Sequence, residues 1–293
     1  MIEAKIIADS LGPIGDRITT YVLTFPRIVL AEFNTHRALS RNSASSRAIP
    51  LKKMLKLVQE NPFIPVKWMR EHTGMQGTEY LDQLSSQFSR EIWLRGRDEA
   101  VSAAESLSQQ GVTKQICNRL LEPFMWHTCI ATGTDWENFF ALRAHPDAEI
   151  HIQELAYKML EAANASTPTD LDKGQWHIPF GDNMDEARIA KLIVSKELMK
   201  ESVNSMKQKI ATARCARVSY LNFEGKDDYE ADLELYNRLS SAGHMSPFEH
   251  VAQAMDIHQY LNWGGRCGNF KGFVQLRKFI ENENKKDERY NRK

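Results

Sequence analysis

The strongest constraint on the fold comes from residues 18–30 and the polar segment that follows them. Residues 18–30 are rich in Thr, Tyr, Val, Ile and Phe, the residue types that favour β-strands. Residues 31–50, here called the Arg/Ser segment, hold several basic side chains and a single acid among Ser and Asn: His36, Arg37, Arg41, Arg47 and Glu32. Guanidinium groups match phosphate oxygens, and Ser and Asn add neutral hydrogen bonds. We therefore expect a strand that leads into an anion-binding segment; a solvated loop is the alternative.

Apolar residues recur at helical spacing over much of the remaining chain, which predicts long helices. The predicted helices are residues 78–110, 113–121, 135–163, 186–213 and 227–242. In the first, the repeat of Leu84, Phe88 and Ile92 indicates an amphipathic helix. Asp135 is the expected N-cap of the third.

Residues 164–185 divide the chain. They carry Pro, Gly and several Asp, Ser and Thr residues, a composition typical of loops. We interpret them as a linker or lid between residues 1–163 and 186–293, which pack into the same domain. Residues 217–223 are expected to be extended.

The composition narrows the class of protein. Of 293 residues, 42% are hydrophobic, and Lys plus Arg number 38, as do Asp plus Glu. This balance does not favour binding to nucleic acid or to a membrane surface. No apolar run is long enough to span a bilayer, and the first ten residues lack a signal-peptide pattern. Since the four cysteines are scattered, we expect neither a metal site nor disulfides, and a cytoplasmic location.

Three further motifs have the chemistry of a binding site. Residues 243–250, Gly-His-Met-Ser-Pro-Phe-Glu-His, form either a capping box built on Ser246 and Glu249 or a helix start that holds an anion. Residues 136–152 contain Asn138 and Arg143 on a predicted helix, where the simpler interpretation is an ion pair on the helix surface. Residues 118–123 place Arg119 before a Pro turn.

Together these motifs resemble those of the flavin-dependent thymidylate synthase (ThyX) family. His36 and Arg37, followed by seven residues and Ser45, are similar to the family's Arg-His-Arg-x7-Ser signature, with Thr35 in place of the first Arg. Residues 136–152, 118–123, 216–220 and 243–250 are similar to its other motifs. The family has the last two segments first. The resemblance therefore implies a circular permutation, with an α+β fold whose antiparallel sheet is flanked by long helices.

The resemblance also implies a role for each matched position. Arg143 is the expected catalytic residue, because it would hold the uracil edge of the nucleotide. The residues expected to hold the flavin are His36, Arg37, Asn138, Leu142, Ser246 and Glu249. Those expected to hold the substrates are Glu32, Ser43, Ser45, Arg47, Arg119, Arg143 and His244, the last near the folate. Thr35, Ser43 and Asp147 stand where the family has Arg, Glu and His.

The implied reaction is methylation of carbon 5 of dUMP or a related uracil nucleotide. Methylenetetrahydrofolate would supply the carbon, reduced FAD the hydride, and NADPH would reduce the flavin. A homotetramer with shared flavin sites is implied as well. Two alternatives stay open: hydroxymethylation of dUMP or UMP on the same site, and a nucleotide-binding homologue without catalytic activity. RNA binding through Arg41 and Arg47 is disfavoured by the zero net charge.

Overall fold

The computed structural model describes residues 1–74, 77–220, 227–263, 267–281 and 283. The strands are β1 (Glu3–Leu11), β2 (Arg17–Pro26), β3 (Ser40–Ser43), β4 (Trp126–Gly133), β5 (Thr169–Asp170), β6 (Trp176–His177), β7 (Ala252–Ala254) and β8 (Phe273–Gln275). The α-helices are α1 (Leu30–Asn34), α2 (Leu51–Glu60), α3 (Gln83–Gln109), α4 (Lys114–Cys117), α5 (Glu137–Arg143), α6 (Ile150–Ala165), α7 (Glu186–Ser195), α8 (Val203–Arg217), α9 (Tyr229–Ser241) and α10 (Ile257–Trp263). Short 3₁₀ helices include Asn118–Phe124, Val218–Tyr220, Ser246–Glu249 and Leu276–Phe279.

The predicted α+β architecture is confirmed. A five-stranded sheet has the order β3-β4-β2-β1-β5 and is antiparallel except for the β1–β5 pair. A three-stranded antiparallel sheet has the order β6-β7-β8. The strand predicted from residues 18–30 ends at Pro26, and the chain then turns into α1. This turn brings the Arg/Ser segment back to the edge of the large sheet, where β3 pairs with β4.

Two main cores hold the site in place. One lies between the large sheet and the helices α5 and α6, where Leu23, Phe139 and Leu155 are buried. The other joins α7, α8 and α9 around Ile189, Ile210 and other apolar residues. Each fully buried large apolar side chain contributes about 1.5–3 kcal/mol. The Arg/Ser segment thus lies on a well-packed support.

The single helix predicted over residues 135–163 is wrong, because the chain forms α5 and α6 with a break between them. The break contains Pro146, which cannot donate the backbone hydrogen bond that a continuous helix needs. Asp135 is not a cap and instead pairs with Lys271 at 2.6 Å. Glu149 caps α6, accepting from the backbone N–H of His151 at 2.8 Å.

Helix α3 differs from the prediction in the face it buries. Asp82 caps it, whereas Leu84, Phe88 and Ile92 are 79%, 62% and 45% exposed. The helical period was therefore correct, but this apolar stripe stays exposed in the part of the chain that the structure describes.

Residues 164–185 contain β5 and β6, which pair with β1 and β7; the three-part division of the chain stays a prediction. The extended structure predicted for residues 217–223 is wrong at its start, since α8 ends at Arg217 and Val218–Tyr220 is a 3₁₀ helix. Residues 221–223 lie outside the described residues.

Within the described ranges, no helix is both long and apolar enough to cross a bilayer.

Candidate functional site

Arg143 and His36 join two of the sequence motifs. Arg143 is the last residue of α5, and its Nε donates a hydrogen bond to His36 Nε2 at 3.2 Å. One of its terminal nitrogens donates to Thr35 Oγ1 at 3.3 Å. Burial lowers the pKa of His36, and the positive charges of Arg143 and Arg41 lower it further. His36 is therefore a neutral acceptor at pH 7 that holds the guanidinium of Arg143 in place.

Arg41 connects the Arg/Ser segment to the motif at residues 243–250. Its guanidinium donates to the backbone oxygens of Phe33 and His36 at 3.3 and 3.1 Å. Burial lowers the pKa of Arg41, and the carboxylate of Glu249 is near enough to oppose that shift. Arg41 was not among the predicted site residues, although its position between two predicted ones was a signal.

Glu249 does not close a capping box. The 3₁₀ helix Ser246–Glu249 has no side-chain cap, and the Glu249 carboxylate forms an ion pair with Arg277. The capping interpretation of residues 243–250 is therefore wrong. Arg277 lies outside every motif, so the sequence gave no indication of this partner.

The segment at residues 216–220 packs against the Arg/Ser segment. The backbone N–H of Ser45 donates to the Ser219 oxygen at 3.2 Å, and Asn42 Nδ2 donates to the Cys215 oxygen at 3.5 Å. Two segments far apart in the sequence thus meet through one backbone hydrogen bond and one bond from a side chain to the backbone.

Asn118 fixes the turn that carries Arg119. Its buried amide donates to the backbone oxygens of Ser46 and Ile49 at 2.6 and 3.0 Å. Since Ser46 and Ile49 flank Arg47 in sequence, the turn with Arg119 lies beside the segment with Arg47. Both guanidinium groups are exposed.

Residues 267–275 also reach the Arg/Ser segment. Gln275 Nε2 and Asn269 Nδ2 donate to Ser40 Oγ at 2.9 and 3.5 Å, and the Lys271 N–H donates to Thr134 Oγ1 at 3.0 Å. Residues 264–266 lie outside the described residues. Sequence reasoning missed these contacts because the stretch has no counterpart in the family motifs.

The predicted site residues fall into two groups by exposure. His36 is buried, and Glu32, Ser43, Ser45, Arg143 and Glu249 are half-buried. The exposed group consists of Arg37, Arg47, Arg119, Asn138, Leu142, His244 and Ser246. In the described ranges, Glu32 Oε2 is a buried carboxylate oxygen with no hydrogen-bond partner. The arrangement therefore combines a fixed inner layer with exposed donors that can contact a ligand.

Comparison with known proteins gives a family and a distant structural likeness. A family model described as thymidylate synthase complementing protein matches residues 17–169. This range includes the Arg/Ser segment, Arg119 and Arg143. Two solved structures of a UMP/dUMP methylase, PolB from Streptomyces cacaoi, one bound with 5-Br dUMP and one with 5-Br UMP, match at 14% identity with TM-scores of 0.45 and 0.46. The matches cover 56% of this chain and 90% and 88% of theirs. None of the curated proteins matches the chain.

Proposed function

We propose that this chain, which belongs to the thymidylate synthase complementing protein family, methylates carbon 5 of a uracil nucleotide, either dUMP or UMP. Methylenetetrahydrofolate is the one-carbon donor, and NADPH reduces the flavin. The observation that carries the proposal is the hydrogen bond between Arg143 and His36. It supports the proposal because it joins α5, the helix that we propose binds the nucleotide, to the signature that we propose binds the flavin.

Arg143 is suited to activate a pyrimidine. It donates to two neutral groups, His36 Nε2 and Thr35 Oγ1, so these contacts orient the guanidinium without neutralising its charge. A positive group fixed in this way stabilises negative charge that develops on the uracil edge. Thr35, which replaces a family Arg, thus has a supporting role here.

The phosphate end of the nucleotide would lie at the turn held by Asn118. Arg47 and Arg119 are exposed there, and their side chains form no hydrogen bond or ion pair within the described part of the chain. Ser45 adds a neutral hydroxyl. Guanidinium groups bind phosphate in pairs of hydrogen bonds, so this surface fits a nucleotide monophosphate.

Exposed residues on α5, in the Arg/Ser segment and at residues 243–250 fit a flavin. Arg37, Asn138 and Ser246 offer polar groups, and Leu142 offers a 54% exposed apolar surface. When bound, reduced FAD supplies the hydride, and no cysteine nucleophile is then required. This agrees with the buried thiols: burial raises the pKa of Cys129 to about 11 and also raises the pKa of Cys215, so neither is a thiolate at neutral pH.

We extend the proposal to a homotetramer with shared flavin sites. The support is the stripe of Leu84, Phe88 and Ile92 on α3, whose exposure in the single chain is unusual for large apolar residues.

The test incubates the protein with dUMP or UMP, reduced FAD and methylenetetrahydrofolate, and weighs the nucleotide product. A gain of one methylene group supports methylation, and an additional oxygen supports hydroxymethylation on the same site. Flavin and nucleotide binding without a mass change would favour the non-catalytic homologue. Absence of both binding and product would refute the proposal. Omission of the folate is the control.

A further inference from the structure

A chain of buried hydrogen bonds crosses the large sheet behind the candidate site. Ser10 Oγ bonds to His177 Nδ1 at 2.9 Å, and His177 Nε2 bonds to Thr20 Oγ1 at 2.8 Å. Thr20 Oγ1 bonds to Thr132 Oγ1 at 2.8 Å, and Thr132 Oγ1 bonds to His250 Nδ1 at 2.8 Å. Ser10 is 6% exposed and the other four residues are fully buried. The chain begins at an open groove of about 530 Å³ that Ser10 lines.

Counting protons fixes the polarity of this chain. Burial lowers the pKa of His177 and His250 to about 3, so each ring is neutral and carries one N–H. Three bonds separate the two rings, and the hydroxyls of Thr20 and Thr132 supply only two protons. The third proton must come from one ring and only one.

Two arrangements satisfy all three bonds. If His177 Nε2 donates to Thr20, then Thr20 donates to Thr132 and Thr132 donates to His250 Nδ1, so both rings carry hydrogen on Nε2. If His250 Nδ1 donates to Thr132, every bond reverses and both rings carry hydrogen on Nδ1. Mixed tautomers would either place two hydrogens in one bond or leave one bond without any, which is costly for buried groups.

The far end of the chain lies at the candidate site. His250 directly follows the 3₁₀ helix Ser246–Glu249, which packs against β3 of the Arg/Ser segment. Its Nε2 is buried and has no hydrogen-bond partner among the described residues. The bond to Thr132 is thus the polar contact that ties the end of this turn to the sheet.

We propose that Ser10, His177, Thr20, Thr132 and His250 act as one polarised chain that gives both histidines the same tautomer and makes His250 a positioning residue for Ser246–Glu249. The chain decides whether the buried His250 Nε2 carries a hydrogen or a lone pair at the end of this turn. The positioning role rests on the proposed function, in which this turn contacts the flavin.

Neutron diffraction on deuterium-exchanged crystals tests the tautomers. We expect deuterium on the same nitrogen in both rings, either Nδ1 in each or Nε2 in each. Deuterium on different nitrogens in the two rings, or on both nitrogens of either ring, would overturn the polarised chain. This measurement does not depend on bound ligand.

FAD titration by quenching of flavin fluorescence tests the positioning role. Thr132→Val should weaken FAD binding on the order of 10-fold, because it leaves the buried His250 Nδ1 unpaired, and Thr132→Ser should restore binding. Thr20→Val should also weaken FAD binding. It provides the test if Thr132→Val does not fold. Thr24→Val is the matched control, since Thr24 lies on the same face of β2 and has no side-chain hydrogen bond in the described structure.

The outcomes separate the two hypotheses. Wild-type affinity in both Thr132→Val and Thr20→Val would overturn the positioning role while leaving the proposed function intact. A wild-type protein that binds no FAD would refute the flavin site and the positioning role together, and the neutron result would still decide the tautomers.

Discussion

Three of the buried histidines, His127, His177 and His250, predict a steep loss of stability in mild acid. Burial lowers the pKa of His127, His177 and His250 to about 3, whereas an exposed histidine in the unfolded chain titrates near 6.5. Each ring therefore stays neutral in the folded protein while the unfolded chain takes up a proton. Stability is complete above about pH 6.5 and is lost as the pH falls from there towards 3.

The magnitude follows from the proton difference. Each group lowers the free energy of unfolding by about 1.4 kcal/mol per pH unit once the pH is well below 6.5. Three groups together therefore lower it by about 4 kcal/mol at pH 5.5 relative to pH 8. Typical domains unfold with only about 5–15 kcal/mol. Carboxylates with lowered pKa, such as Asp9 and Glu149, contribute only at lower pH. The interval from pH 7.5 to 5.5 therefore reports the histidines together with the N-terminal amine, whose pKa burial also lowers.

Urea unfolding between pH 8 and 5.5 measures the slope of the free energy of unfolding against pH. It is followed by tryptophan fluorescence at fixed protein concentration. His177→Gln should reduce this slope by up to about one third, because His36, whose pKa is also lowered, contributes in the same interval. A free energy of unfolding that stays constant from pH 7.5 to 5.5 would show that these rings are not buried in neutral form.

Three substitutions test the candidate site and the proposed assembly. Arg143→Ala should abolish methyl transfer while FAD stays bound, measured by turnover and flavin absorbance against the exposed control Arg238→Ala; retained turnover would exclude the role of Arg143. Arg47→Ala should raise the nucleotide KM roughly 10- to 100-fold with little change in kcat, since it removes a charge-assisted contact to phosphate; an unchanged KM would place the phosphate elsewhere. Phe88→Asp should shift the protein to a smaller assembly in light scattering with the fold intact by circular dichroism, and an unaltered mass would remove α3 from the interface.

The local patterns in the sequence predicted many of the strands and helices, but not where a helix breaks. The β-rich run before the Arg/Ser segment and the helical periods predicted individual strands and helices, because alternation and period are local properties. The α+β fold was implied by the family resemblance. The break at Pro146 was visible in the sequence, yet the apolar period on both sides outweighed it in the prediction. The exposed stripe on α3 has the predicted helical period. Periodicity, however, does not determine which surface packs against an apolar face.

The sequence predicted site residues only where they belong to a recognisable motif. Arg277 and Gln275 reach Glu249 and Ser40 from a part of the chain with no recognisable pattern. In the sequence, Thr20 and Thr132 are typical strand residues. Because Thr favours strands for reasons unrelated to its hydroxyl, their presence did not indicate a hydrogen-bonded chain. Their pairing across β2 and β4 depends on register, which no local pattern determines.

The order of segments along the chain matters less than the surface on which they meet. Residues 216–220 and 243–250 follow the Arg/Ser segment in sequence, yet both pack against it. The first contacts it through the Ser45–Ser219 hydrogen bond, and the second through the 3₁₀ helix Ser246–Glu249, which lies against β3. A sheet edge offers the same hydrogen bonds to a neighbour whether that neighbour comes early or late in the chain, so the permuted order is compatible with one shared site. The circular permutation itself stays a prediction, because the family match ends at residue 169. The ion pair of Glu249 with Arg277 and the hydrogen bond from Gln275 to Ser40 hold these late segments together and against an early strand.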